Sequence, residues 1–125
     1  MSAEDTDAEP GAPDPVVDAA TFLACDLRVG TVRACAPIPA ARVPAYRLTV
    51  DLGPLGTMTS SARVTDLYTR EDLVGTQVVC VVNLPPRQVG PVRSQVLVLG
   101  VYRAGTSEVV LLRPDRAAED GDRVG

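Results

Sequence analysis

Short apolar segments separated by glycine- and proline-containing turns make up most of this 125-residue chain after its first quarter. This spacing is typical of an all-β barrel or sandwich, and it disfavours a parallel sheet with crossover helices. Two of the segments, Gln77–Val82 and Gln95–Tyr102, have little polar alternation, which predicts strands covered on both sides. The predicted strands are Leu27–Cys35, Tyr46–Leu52, Thr57–Ser60, Gln77–Val82, Gln95–Tyr102 and Glu108–Arg113.

One helical region is predicted between the third and fourth strands. Ser60 or Ser61 can cap a segment whose apolar residues recur at helical spacing. Thr69 and Asp72 fit a capping box, and Gly75 is a natural stop. A five-stranded Greek-key barrel with a short helix at this point is an OB-fold, which we therefore predict. The residues at helical spacing are Val64, Leu67 and Tyr68.

Negative charge is concentrated at the N-terminus. The formal net charge is −4, yet residues 1–20 carry six acids and no base, whereas residues 21–115 carry ten arginines and seven acids. Residues 1–16, called here the acidic N-terminal segment, combine acids with Ala, Gly and Pro, and we expect them to be disordered. The folded domain is predicted to span residues 17–125. Asp18 is expected to cap a short helix over Ala19–Ala24, with Val17 and Phe22 at the spacing of a hydrophobic staple.

The residue types that are missing limit the chemistry. The chain has no histidine, and all of its bases are arginine. Histidine triads, imidazole metal ligands and lysine-dependent catalysis are thereby excluded, so we expect a binding protein with no catalytic residues, no metal and no cofactor. Cys25, Cys35 and Cys80 form no CxxC pair, which suits a reducing cytoplasm, and Cys80 is expected in the core. No uncharged stretch is long enough to cross a bilayer, so we expect no membrane insertion.

OB barrels bind oligonucleotides on strands 2 and 3 and on the loops that join strands 1 to 2 and 4 to 5. The arginines can meet phosphates and the polar groups can bond to sugars or base edges, while Tyr46 is the only stacking candidate. Such a composition favours recognition of a folded RNA by shape and phosphate contacts over sequence-tolerant stacking. The candidate RNA-binding residues are Arg42, Arg47, Ser60, Ser61, Asn83, Arg87, Arg93 and Ser94.

Structural alternatives exist for several of these residues. The arginines could be solvating charges, and Ser60 and Ser61 could only cap the helix. Asn83 could bond the backbone of its own loop. Likewise, Arg28 beside Asp26 could form a structural ion pair.

The segment Phe22–Val32 resembles the opening of the tRNA-binding domain found in free-standing bacterial tRNA-binding proteins and at the C-terminus of some methionyl-tRNA synthetases. Residues 39–48, Ser60-Ser61-Ala62, residues 81–87 and residues 94–100 are similar to its CsaA-type, export-related chaperone subgroup. The resemblance implies an OB barrel whose N- and C-terminal extensions form a homodimer interface. It assigns basic positions to Arg42, Arg47 and Arg87, and it implies tRNA and unfolded or exported polypeptides as partners.

Two functions are therefore carried forward, with a hydrolase a distant third because no convincing catalytic pair is present. The first is a homodimeric protein, without enzymatic activity, that binds tRNA. The second is a chaperone that binds extended polypeptide in a groove of the dimer, with RNA binding secondary. The apolar strands Val96–Val101 and Val109–Leu112 could supply the dimer surface, or they could only fill the barrel.

Overall fold

The computed structural model describes residues 11–39 and 41–125, so the disorder predicted for residues 1–10 lies outside the described residues. Residues 11–16 are exposed and form neither helix nor strand. A short 3-10 turn, Gly53–Leu55, links the second and third strands. The elements in chain order are α1 (Ala19–Leu23), β1 (Leu27–Pro37), β2 (Tyr46–Asp51), β3 (Thr57–Ala62), α2 (Arg70–Leu73), β4 (Gln77–Val81), β5 (Arg87–Val89), β6 (Val92–Ser94), β7 (Leu97–Val98), β8 (Gly100–Tyr102) and β9 (Val109–Leu111).

The main sheet is a five-stranded antiparallel barrel with strand order β3-β2-β1-β4-β7. β1 is long enough to pair with both β2 and β4, and a register shift between Val32 and Ala34 bends it where the partner changes. The barrel nearly closes because the backbone N–H groups of Gln95 and Val96 donate to the Thr59 carbonyl at 2.8 and 3.3 Å. The predicted all-β OB architecture, with its helix between β3 and β4, is confirmed.

Strand alternation directs one set of side chains into the barrel. Leu48, Val50 and Val78 are fully buried there, as is Cys80. Cys80 is therefore a core side chain, as predicted, and its burial raises the pKa of its thiol to about 12.

A second, smaller cluster lies outside the barrel. It consists of Ile38 and Ala45 from the β1–β2 loop and Val92 from β6. The loop and the β5–β6 hairpin are therefore packed against each other, which fixes the position of the polar residues they carry.

The helical prediction was right about its caps and wrong about its extent. Thr69 and Asp72 form the predicted capping box of α2, and Gly75 has the positive φ of 88° suited to a stop. Ser60 and Ser61, however, belong to β3 and cap no helix, because both are paired with β2 in the barrel. Residues 65–67 form a turn, so the helical spacing there was coincidental.

Two strand predictions also need correction. Gln95–Tyr102 is not one covered strand: it breaks at Leu99 into β7, which stays in the barrel, and β8, which pairs with β9 in a separate ribbon. On that ribbon the successive residues Val101 and Tyr102 are 54% and 57% exposed, so β8 is open on both of its faces. The proline-rich loop predicted between the fourth and fifth strands contains the β5–β6 hairpin, which turns at Gly90.

The N-terminal helix follows its prediction closely. Asp18 accepts a hydrogen bond from the Thr21 N–H at 2.8 Å and caps α1, which ends at Leu23. Val17 and Phe22 are both exposed, so the predicted staple buries little surface.

Candidate nucleic-acid interface

The β1–β2 loop is held as a compact turn against the barrel. Its Ile38 N–H donates to the Ala45 carbonyl at 3.1 Å, and the Ala41 N–H donates to the Ile38 carbonyl at 3.2 Å. Ile38 and Ala45 are buried against Val92 of the hairpin. Since these contacts join the loop to the hairpin, Arg42 and Arg87 are carried on one supported surface.

A cleft of about 300 Å³ separates the loop from the hairpin, and we call it the arginine cleft. Arg42 comes from the β1–β2 loop, Arg63 follows β3 directly, and Arg87 begins β5. All three side chains are on exposed residues, and within residues 11–39 and 41–125 none of them forms an ion pair. The full lining is Ala41, Arg42, Val43, Arg63, Arg87, Gln88, Val89 and Gly90, which includes no acid.

Arg63 was missed at the sequence level. The segment after Ser60 was predicted to be helical, so Arg63 was not expected to lie near the β1–β2 loop. In the structure β3 continues to Ala62, which pairs with Tyr46 at the very end of that loop. Arg63 therefore leaves the barrel beside Arg42. Its position immediately after the Ser-Ser-Ala motif was the one available signal.

The outer face of β2 and β3 continues the basic surface. Leu48 and Ser60 point into the barrel, so their neighbours Arg47 and Ser61 point outward, where they are paired across the two strands. The Ser61 N–H donates to Ser94 Oγ at 3.0 Å. Arg47 is exposed and forms no ion pair with any described residue, which leaves its guanidinium available to an anion.

Two of the predicted contact residues have structural roles. Ser60 is fully buried, so its hydroxyl is not accessible to an RNA. Asn83 Oδ1 accepts from the Asp26 N–H at 2.8 Å, and its Nδ2 donates to the Ala24 carbonyl at 2.7 Å. The backbone that Asn83 bonds is therefore the α1–β1 connection and not its own loop.

The remaining three predicted residues do not line the arginine cleft. Tyr46 is half-buried and its hydroxyl donates to the Tyr68 carbonyl at 2.9 Å, so its ring is fixed and only partly open to a base. Ser94 Oγ also donates to the Val96 carbonyl at 3.3 Å and helps close the barrel. Arg93 is exposed, but it lies on the opposite face of the hairpin from the buried Val92.

Several arginines that do not line the cleft are neutralised by acids. Arg28 contacts Asp26 at 2.6 Å, which confirms the structural ion pair, and Arg123 lies 3.8 Å from the same carboxylate. The hydrogen bond from Arg28 lowers the pKa of Asp26 below its ordinary 3.8. Arg33 bridges Asp51 and Asp120, at 3.3 Å to each. Among the described arginines, Arg28, Arg33 and Arg123 are thus paired with acids, whereas the three that line the cleft are not.

No cluster of three or more His, Cys, Asp or Glu side chains that could hold a metal occurs in the described part of the chain. Among the helices of that part, none is both long and apolar enough to cross a membrane.

The barrel and its unpaired arginines define a basic-faced OB-fold domain. Residues 27–123 match the family model described as "Putative tRNA binding domain". The chain belongs to this tRNA-binding domain family, as the sequence resemblance predicted. That family is a binding domain and not an enzyme family.

Curated relatives include methionine–tRNA ligase 1 of Sorangium cellulosum, which is 38% identical over 116 residues. The match covers 93% of this chain but 16% of that enzyme, and the methionine–tRNA ligase of Methanosarcina mazei, at 32% identity, is covered over 15%. The chain therefore spans about one sixth of the length of these relatives.

Solved structures of similar length are also related. The CsaA chaperone of Bacillus anthracis is 43% identical, with a TM-score of 0.84 and coverage of 89% of this chain and 100% of that one. The CsaA chaperone protein of Picrophilus torridus is 34% identical, with a TM-score of 0.82 and coverage of 88% and 100%.

Proposed function

We propose that this protein binds tRNA through the arginine cleft and the adjoining face of β2 and β3, without catalysis. One observation carries the proposal: the arginines that lack an ion pair within the described residues include three that line a single cleft on the loops where OB barrels bind nucleic acid. The tRNA-binding family to which the chain belongs supports tRNA as the polyanion.

Phosphate and shape recognition fit this surface better than base stacking. A guanidinium offers a planar fork of donors that matches phosphate oxygens. Stacking would need several open aromatic rings, but Tyr46 is half-buried and Tyr68 has its ring beneath Arg113, 5.6 Å from the guanidinium carbon. We therefore expect affinity for folded tRNA with little dependence on base sequence.

A tRNA titration over a salt series tests the proposal. Arginine–phosphate contacts release counterions, so affinity should fall steeply as salt rises. Arg42→Ala combined with Arg87→Ala should weaken binding by about 1–3 kcal/mol in total, the scale of charge-assisted hydrogen bonds. Arg103→Ala is the matched control, because Arg103 pairs with Glu108 on the β8–β9 ribbon at 3.0 Å.

The outcomes are distinct. If tRNA fails to bind even at low salt, the proposed function is wrong. If the cleft variant binds as well as the parent while binding remains salt-dependent, the RNA uses another face.

The second candidate is a chaperone that binds unfolded or exported polypeptide, with RNA binding secondary. Its support is the similarity to the two CsaA chaperones and a second cleft of about 320 Å³ beside Arg42. The apolar walls of that cleft come largely from Pro37, Ile38 and Pro39, with Tyr46. Capture of an unfolded polypeptide by such walls should persist at salt concentrations that release tRNA, so the same salt series separates the two functions.

We also propose that the protein works as a homodimer in the cytoplasm. The β8–β9 ribbon supports a dimer, because Val101 and Val110 are cross-strand partners on one face and both are exposed. α1 adds the exposed Phe22 and Leu23. In analytical sedimentation the parent should behave as a dimer and Val101→Asp as a monomer. A parent that already sediments as a monomer would contradict the dimer. The three free cysteines are compatible with a reducing compartment.

A further inference from the structure

The arginine cleft is a positively charged surface, and no acid of the described residues is paired with its arginines. Arg42, Arg63 and Arg87 line it, no acid is among its lining residues, and all three guanidinium groups lack an ion pair within the described ranges. The same chain carries a segment of the opposite charge: residues 1–16 contain five acids and no base. These two features are complementary in the sign of their charge.

We propose that the acidic N-terminal segment binds in the arginine cleft of its own chain and so acts as a built-in competitor of polyanionic ligands. The occupation of the cleft stands apart from the proposed function, whereas the competition rests on it. Carboxylates suit the site because arginine binds carboxylate and phosphate oxygens with the same fork of donors.

The point where the segment joins the fold makes the contact reachable. Asn83 Nδ2 donates to the Ala24 carbonyl at 2.7 Å, so the end of α1 lies against the start of the β4–β5 connection. Arg87 follows Asn83 by four residues, which span at most about 14 Å, and the stretch from Ala24 back to Asp18 adds about 9 Å of helix. From Asp18 the chain back to Glu4 can extend about 45 Å. The acids of the segment can therefore reach all sides of the cleft.

The tether makes a weak contact effective. A binding partner on a short linker experiences an effective concentration in the millimolar range. Exposed carboxylate–guanidinium pairs contribute only a few tenths to one kcal/mol each, so several of them together give millimolar affinity and no more. Competition of this kind lowers the affinity for an external ligand by about two- to tenfold at low salt, and it fades as salt screens both partners.

The first experiment detects occupation of the cleft without any RNA. The full chain is treated with phenylglyoxal, which modifies accessible guanidinium groups, and the modified arginines are identified by mass spectrometry. The parent is compared with a full-length variant in which the acids of residues 1–10 are neutralised. That variant carries Glu4→Gln, Asp5→Asn, Asp7→Asn and Glu9→Gln.

If the segment occupies the cleft, Arg42, Arg63 and Arg87 should react several-fold faster in the neutralised variant at low salt. Arg116, in the C-terminal segment, serves as the internal control and should react equally in both. Equal reactivity of the three cleft arginines in the two proteins would overturn the proposal. Protection that disappears on dilution would also overturn it, since the segment would then be binding a second copy.

The second experiment measures competition. The neutralised variant should bind tRNA about two- to tenfold more tightly than the parent at low salt, and the difference should largely vanish when Arg42→Ala and Arg63→Ala are introduced into both. A difference that survives these substitutions would mean long-range repulsion without docking, and would refute the competition. If neither protein binds tRNA, the proposed function fails, while the phenylglyoxal result still decides the occupation of the cleft.

Discussion

Asn83 offers the sharpest test of whether a polar residue in this region serves the fold or the ligand. Its side-chain amide is used at both ends: Oδ1 accepts from the Asp26 N–H at 2.8 Å and Nδ2 donates to the Ala24 carbonyl at 2.7 Å. Those two bonds join the start of the β4–β5 connection to the α1–β1 connection. We therefore predict that Asn83→Ala destabilises the protein and leaves tRNA affinity nearly unchanged.

The magnitude follows from the two bonds. Each contributes a net of about 0.5–1.5 kcal/mol, and because Asn83 is exposed, water can satisfy part of what is freed. The expected loss is therefore about 1–2 kcal/mol, or roughly 4–8 °C in Tm for a domain of this size. Urea denaturation at one fixed protein concentration measures it, since a dimer would otherwise make the result depend on concentration.

Two further variants sharpen the test. Asn83→Asp keeps the acceptor for the Asp26 N–H and loses the donor to Ala24, so it should cost about half as much from hydrogen bonding, with added repulsion from the nearby Asp26 carboxylate. Gln88→Ala is the matched control for the stability measurement alone, because Gln88 lines the cleft while its amide, among the described residues, bonds the Gly90 carbonyl within its own hairpin at 2.9 Å. If Asn83→Ala kept full stability but lost tenfold in tRNA affinity, the structural assignment of Asn83 would be wrong.

Three other outcomes are expected from the fold. Leu48→Ala, at a fully buried barrel position, should cost about 2–5 kcal/mol in urea denaturation, and a loss below 1 kcal/mol would contradict the packing. Asp26→Asn should lower Tm at pH 6. The folded-state pKa of the Asp26 carboxyl lies below its ordinary 3.8, so its contribution to stability is present above pH 3.8 and is lost as pH falls through the lower folded pKa. The Tm difference from the parent should therefore shrink toward pH 2.5. Gly53→Ala and Gly105→Ala both force a side chain into positive φ, but of these two only Gly53→Ala would bring the new Cβ into collision with the Asp120 carbonyl. Gly53→Ala should therefore lower the free energy of unfolding by about 1–3 kcal/mol more than Gly105→Ala does. Equal losses would show that the backbone at Asp120 moves aside to relieve the collision.

β1, β2 and β4 could be predicted from the sequence because their apolar residues form runs or alternate with polar ones between turn residues. β2 illustrates this: Leu48 and Val50 alternate with Arg47 and Thr49, and the burial pattern follows the alternation. The β5–β6 hairpin could not be predicted from the sequence. Its strands have three residues each and are mostly polar outside Val89 and Val92, so no periodic signal distinguishes them from a loop.

The error over residues 61–68 had a consequence for the site. The sequence of Ser61 and Ala62 is compatible with a helix or with a strand. The strand forms because pairing with Arg47 and Tyr46 extends the β2–β3 ladder of the barrel. A pairing between distant strands cannot be inferred from local periodicity. Arg63 was hidden by that error, whereas Arg42 and Arg87 were identified because the sequence predicted both in proline-containing loops.

The formal charge of −4 does not argue against a polyanionic ligand, because charge acts locally in salt. At physiological ionic strength the Debye length is about 8 Å, so acids farther than this from a phosphate are largely screened. Asp26, Asp51 and Asp120 are already paired with arginines that do not line the cleft. No acid lines the cleft, so the nearest charges that an approaching anion meets there are its unpaired arginines. The acidic N-terminal segment carries acids that can move to the cleft and oppose that attraction.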